Sequence, residues 1–348
     1  MSVLQPNMSG AGRYAELASA VRSFKADLVQ PAQMERFVEA SSLPEMVSFI
    51  TGGAITSVDS SNMTAAETAL VRHAADLTKR LASYAPYDSR ALIRLFATNY
   101  ELNCVKEMLK AILDQEDPDQ AVSHIVPTAK FTSERCKELI EARNPNRVVE
   151  ALENETIKRF ITPKLAGEKT AMAVVAAIDQ YYFSRLWSAS NLPDPLDAQS
   201  ARGLIGGLID RLNILLAFRA RLIQLDARST SDMFIPVNYA LGRSMAELAE
   251  STSIPNLVRT VEKTPYAKSF EGYTGLETSV GTVERALHSG HARKCLDAFA
   301  GSPFKIGLAL AFLCLKNYEL HDLLTVINGK ANNVASERIL ASLILRET

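Results

Sequence analysis

One pattern, a helix end running through a polar turn into a proline-marked helix start, occurs three times in this chain, and it limits the fold more than any other feature. It reads RFVEASSLPEMV from Arg36 to Val47, ELIEARNPNRVV from Glu138 to Val149 and ELAESTSIPNLV from Glu247 to Val258. In each copy the proline (Pro44, Pro145, Pro255) stands near the first turn of the next helix, where its missing N–H breaks no helical hydrogen bond. A second signature follows each copy. Tyr100-Glu101-Leu102, Ile209-Asp210-Arg211-Leu212 and Tyr318-Glu319-Leu320 open apolar stripes, and Glu101, Asp210 and Glu319 stand 109 positions apart. Ahead of these lie three more acids, Glu67, Asp179 and Glu284. Two signatures in one order, three times, define repeat units of several helices, longer than the two-helix repeats of ordinary solenoids.

The units themselves read as helix. Apolar residues recur at spacings of three and four, as in Leu102, Val105, Leu109 and Ile112, or Ile209, Leu212, Leu216 and Ile223. The connections are short proline turns such as Asp117-Pro118-Asp119 and Asn144-Pro145-Asn146. The expected fold is all-α, with three similar multi-helix units over residues 1–122, 123–232 and 233–348. A stripe through Leu320, Leu323, Leu324 and Ile327 is expected to stop at Gly329. The repeat acids have a plain reading as helix-start residues that complement the positive end of the helix dipole. A second reading has them converge on a central polar cavity.

Several chemistries find no support in the residues. Gly329-Lys330-Ala331 lacks the glycine spacing and hydroxyl of a phosphate loop, and Gly203-Leu-Ile-Gly206-Gly207 sits in a helical pattern with no strand before it. His288 and His291 lack a carboxylate–histidine partner nearby, and Cys104, Cys136, Cys295 and Cys314 are far apart on apolar faces, so no metal is expected. Asp114-Gln-Glu116-Asp117 is too loose for a diphosphate–magnesium motif of an all-helical isoprenoid enzyme. With 38 basic and 39 acidic residues there is no basic surplus for nucleic acid. The longest apolar run, Ile306 to Leu315, is too short for the roughly 20 residues that span a bilayer. Cysteine usage and the polar opening segment predict a cytoplasmic chain without a signal core.

The residues also carry a resemblance over nearly the whole chain. Tyr14 and the run Ala20-Val21-Arg22-Ser23-Phe24-Lys25 are similar to the first helix of the C subunits of archaeal-type and bacterial V-type rotary ATPases, homologous to the d subunit of the eukaryotic vacuolar enzyme. So are Asp210 to Ile214 with Phe218-Arg219-Ala220-Arg221, the stretch Phe234 to Leu241, Thr264-Pro265-Tyr266, and Lys316-Asn317-Tyr318-Glu319-Leu320 running to Gly329-Lys330. The chain departs from the family at Cys104 and Asp322, where asparagine is usual, at Asn238, which replaces a glycine, and at Leu215 and Leu324, where a basic residue is common.

The resemblance implies a non-catalytic rotor subunit without a cofactor. Three units would form a pseudo-threefold funnel, seated on the cytoplasmic face of the membrane proteolipid ring as a peripheral part. Its socket would receive the D and F subunits of the central stalk and pass torque between stalk and ring. Arg94, Glu101, Asp210, Arg211, Arg219 and Glu319 are the expected socket or interface residues. The alternative from the residues alone is a helical scaffold for soluble proteins.

Overall fold

A computed structural model of the chain describes residues 10–40, 42, 44–46, 63–167, 170–275 and 279–347. Ser41, Leu43 and Val47 of the first repeated motif lie outside them, as do Glu168 and Lys169. In chain order the helices are α1 (Gly10–Lys25), α2 (Pro31–Glu39), α3 (Met63–Tyr84), α4 (Tyr87–Leu113), α5 (Pro118–His124), α6 (Ser133–Glu141), α7 (Pro145–Glu150) and α8 (Glu155–Gly167). They continue as α9 (Ala171–Ala189), α10 (Pro195–Leu222), α11 (Ala227–Met233), α12 (Ser244–Glu250), α13 (Ile254–Glu262), α14 (Val280–Asp297), α15 (Ile306–Ala331) and α16 (Ser336–Ser342). Among the described residues there is no strand, so the chain is all-α as expected.

The capping chemistry is local and legible. Asp117, Asn144 and Asp194 accept hydrogen bonds from the first-turn amides of α5, α7 and α10, each with a proline directly behind the cap. Ser253 does the same for α13, with Pro255 in its first turn.

Three long helices, α4, α10 and α15, run for 27, 28 and 26 residues, and each ends in one geometry. Gln115, Gln224 and Asn333 adopt φ of 58°, 55° and 53°. The amides that follow, Glu116, Leu225 and Val334, donate back to the carbonyls of Ala111, Ala220 and Gly329 at 2.9, 3.0 and 2.8 Å. This is the Schellman stop, with a left-handed residue just past the helix. The three left-handed residues stand 109 positions apart, and a seven-residue helix (α5, α11, α16) follows each at the same interval.

Gly329 therefore does not stop α15, contrary to the reading from the stripe. It lies inside the helix, at a position where a Cβ would come within 2.7 Å of the Ile339 side chain on α16. The stop falls four residues later, at Asn333.

Packing joins these helices in a cycle. Within each pair, α3 packs on α4, α9 on α10 and α14 on α15. Between pairs, α4 packs on α9, α10 on α14, and α15 returns to α3. The short helices follow the same rule: α6 and α7 lie on α4, α12 and α13 on α10, and the N-terminal α2 on α15. The largest core runs through α1, α4, α9, α10 and the first half of α15, where Phe24, Phe96, Phe131 and Phe312 are buried. A second core joins the end of α10 to α12–α14, and a third joins α2 and α3 to the end of α15 and α16. The apolar run from Ile306 to Leu315 is buried throughout. No helix among the described residues is long and apolar enough to cross a membrane.

Candidate functional site

The repeat acids do not start helices. Glu101, Asp210 and Glu319 lie near the middle of α4, α10 and α15, and Asp179 lies in the middle of α9. Glu67 and Glu284 fall in the second turns of α3 and α14. The dipole reading is thereby corrected, since that effect fades within one turn of a helix end. Tertiary contacts explain the acids instead.

One set stitches two of the long helices, α10 and α15, each to the segment that follows it in the cycle. Asp210 is buried and accepts hydrogen bonds from the amides of Tyr239 (3.1 Å) and Ala240 (2.6 Å) and from the Tyr266 hydroxyl (2.6 Å). Burial and the Asp210 carboxylate together push the Tyr266 phenol up, which keeps it a donor. Glu319, also buried, accepts from the Val29 amide at 2.6 Å and pairs with Lys316. Thus the N-terminal loop before α2 takes the place on α15 that the segment before α12 takes on α10. Glu101 is only partly buried and faces a cleft of about 440 Å³, shared with Arg94, Asp76, Lys79 and Thr128.

Three residues further along, the same stitching recurs at positions 104, 213 and 322. The Cys104 thiol donates to the Val126 carbonyl (3.0 Å). Asn213 accepts from the Ile235 amide (2.8 Å) and donates to its carbonyl (3.0 Å). Asp322 accepts from the Ile344 and Leu345 amides, both at 2.9 Å. The partners Val126, Ile235 and Ile344 share the 109-residue interval. The Asp322 carboxylate fits because its two oxygens meet two amides.

The other acids clamp one pair to the pair before it. Asp179 on α9 binds Lys106 of α4 (2.9 Å), Glu284 on α14 binds Arg219 of α10 (2.9 Å), and Glu67 on α3 accepts from Asn328 of α15 (3.0 Å). Burial alone would raise the Glu284 carboxyl, but the His288 hydrogen bond and the Arg219 guanidinium more than offset it and hold it down to about 2. Lys106, Asn328 and Val29 escaped the sequence reading. For Asn328 a signal existed, since it stands 109 positions after Arg219.

Glu67 has the opposite balance. Its carboxyl is raised by burial, only partly countered by the Asn328 hydrogen bond. The folded chain thus holds this proton more tightly than the unfolded one, and the associated stability is lost as pH rises through the folded pKa. Glu67→Gln, which keeps an acceptor for Asn328, is expected to raise the thermal midpoint at pH 7 and to bring little gain near pH 3, well below the usual glutamate pKa of about 4.3. Melting curves at both pH values check this; an equal gain at both would remove the assignment.

Of the six residues expected to face partners, the structure brings Arg94 and Glu101 to one cleft and leaves Arg94 exposed. Arg219 is also exposed, beside Glu284. Asp210 and Glu319 are spent inside the protein, and Arg211 is buried with them, donating to the Gly207 carbonyl (2.9 Å) beneath the Tyr266 ring. A second cavity of about 390 Å³ lies between α4 and α15. Tyr100, Asn103, His124, Asn317 and His321 line it, and the Tyr100 hydroxyl donates to Asn317 across it at 2.6 Å.

Such an arrangement, with recurring polar side chains spent on holding successive helix pairs together, defines an all-helical protein whose polar groups serve its own packing. The chain belongs to the ATP synthase (C/AC39) subunit family, whose model matches residues 17–342. It is a non-catalytic accessory subunit of a rotary ATPase. It is similar to the A-type ATP synthase C subunit of Methanocaldococcus jannaschii, with 23% identity over 95% of this chain and 86% of that protein. The corresponding A-type ATP synthase protein of Methanosphaera stadtmanae is 24% identical over 93% of this chain and 86% of its own. That of Methanosarcina acetivorans is 23% identical over 97% and 94%.

Proposed function

We propose that this chain is the central-rotor adaptor of its ATP synthase: a pseudo-threefold funnel whose socket receives the D and F subunits of the central stalk and whose outer face sits on the proteolipid ring at the cytoplasmic side of the membrane. The observation that carries the reading is the cyclic packing, in which α15 returns to α3 and the N-terminal loop takes its place on Glu319. A part that passes torque must resist shear between its units, and closure does this by giving every helix pair two neighbouring pairs. Dense helical cores of low compressibility serve the same end. Within this reading the exposed Arg94 and Arg219 meet partners directly, whereas Asp210, Arg211 and Glu319 shape the socket from behind.

Purified chain should bind the D–F pair, and also ring-containing membranes stripped of peripheral subunits. Adding it back should restore coupling between ATP hydrolysis and ion transport. Arg94→Glu should weaken D–F binding, most at low salt, without lowering the thermal midpoint. Binding to neither partner would sink the rotor reading, and unchanged affinity in a folded Arg94→Glu variant would sink that residue's role.

A further inference from the structure

Helices α14 and α15 face each other with two polar groups apiece, one turn apart: His291 and Cys295 on the first, Cys314 and Tyr318 on the second. All four are buried, His291 and Cys295 with no exposure at all. One donor atom each from His291, Cys295 and Cys314 lies within 4.8 Å of the others. The orientation of the imidazole is set from behind. Its Nε2 faces the Leu204 carbonyl at 3.1 Å, which can only accept, so Nε2 carries the hydrogen. Nδ1 therefore accepts from the Tyr318 hydroxyl (2.9 Å) and lies 3.7 Å from the Cys295 sulfur, so an ion bound here would take the Nδ1 lone pair in place of the Tyr318 hydrogen bond. A backbone carbonyl that fixes the tautomer of the opposite nitrogen is the usual support behind a metal-binding histidine. A trigonal centre with metal–nitrogen and metal–sulfur bonds of roughly 2.0 and 2.3 Å separates nitrogen from sulfur by about 3.7 Å.

A second observation is independent of this geometry. Arg211 is buried beside the cluster, and its charge acts on both His291 and Cys295. It forms no ion pair among the described residues, and its Nε has no hydrogen-bond partner there. The neighbouring Asp210 carboxylate offsets one positive charge, but Lys294 adds a second that also acts on His291 and Cys295. Two cations against one carboxylate leave an excess positive charge, which calls for a compensating negative one. Two thiolates, a neutral imidazole and a monovalent ion carry one net negative charge and supply it; the same ligands around a divalent ion would be neutral and would not. Two thiolates and one imidazole are also a soft set that suits Cu(I).

We propose that His291, Cys295 and Cys314 bind one Cu(I) ion in a three-coordinate site, with Arg211 as the counter-charge. Binding releases the two thiol protons and changes no oxidation state. The site is independent of the rotor reading and stands or falls separately from it.

To test it, the full chain is refolded from urea under anaerobic conditions with Cu(I)–glutathione, so that burial does not bar entry. It is then dialysed against bathocuproine disulfonate, and copper is measured by elemental analysis. One equivalent should be retained, with an X-ray absorption spectrum showing one nitrogen and two sulfur ligands. Cys295→Ser and Cys314→Ser should each lose the ion, whereas the Cys104→Ser/Cys136→Ser chain should keep it. Arg211→Met should weaken retention roughly 10- to 100-fold, as loss of a supporting group does. Absence of copper from refolded wild-type chain, preference for zinc over copper, or a Cys295–Cys314 disulfide in its place would overturn the proposal. The ligand count on wild-type protein decides the matter even if a serine variant fails to fold.

Discussion

Replacing Asp210 with alanine is expected to destabilise the chain by about 3–5 kcal/mol, whereas the equivalent change at Glu101 stays within about 0.5 kcal/mol. The two residues hold one repeat position, so the contrast isolates what the fold does with it. At Asp210 the carboxylate satisfies three donors in a buried setting: two loop amides and the Tyr266 hydroxyl. Truncation strands all three, and a stranded buried donor costs about 1–3 kcal/mol, less whatever relaxation and water recover. It also leaves Arg211 without its nearest acid. Glu319→Ala should fall between, because it strands the Val29 amide and Lys316. At Glu101 the side chain faces an open cleft and water replaces what is lost. Urea titrations of the three variants give the ranking directly. Equal losses at all three positions would mean that the hydrogen bonds to Asp210 do not hold the loop.

That ranking also marks where the sequence stops being informative. The 109-residue interval was visible in it, and it recurs in detail: the left-handed stops at Gln115, Gln224 and Asn333 and the stitches at Cys104, Asn213 and Asp322 keep the same spacing. An interval says that positions are equivalent but not where on a helix they lie. Glu101, Asp210 and Glu319 read as helix starts because each opens an apolar stripe, yet the stripe is only the inner half of a much longer helix. Its outer half, as in Tyr87 to Asn99, is too mixed in composition to show one face. The clamps to Lys106, Arg219 and Asn328 join residues on different helix pairs, and nothing in a local window pairs them. Gly329 misled for a related reason, since the glycine answers to Ile339 across a helix interface and not to its own backbone. His291, Cys295 and Cys314 gave no expectation of a metal in the sequence because Cys314 comes from a second helix, so no sequence spacing joins it to His291.

Two glycines three residues apart on α10 should respond to alanine with opposite signs. Gly203→Ala is expected to stabilise the chain by up to about 1 kcal/mol, the usual gain from removing a glycine inside a helix. Its new Cβ would find only the Tyr239 hydroxyl, at 3.8 Å. Gly206→Ala makes the same helix gain, but its Cβ would come within 2.7 Å of Tyr239 Cδ2 and 2.8 Å of Tyr239 Cβ. The Tyr239 Cβ is bonded to the backbone and cannot swing aside, so the segment carrying Tyr239 must move. That segment is held by Asp210, one turn along the same helix face, through the amides of Tyr239 and Ala240. The expected net loss is about 2–4 kcal/mol, from overpacking and from weakened hydrogen bonds together. Because both substitutions act on one loop, Gly206→Ala and Asp210→Ala should be far from additive, and the double variant should be little worse than Asp210→Ala alone. Additive losses would show that the loop accommodates the methyl without leaving Asp210. The glycine would then answer to the tyrosine ring only, and the seam between α10 and the segment before α12 would be held by Asn213 and the surrounding apolar core.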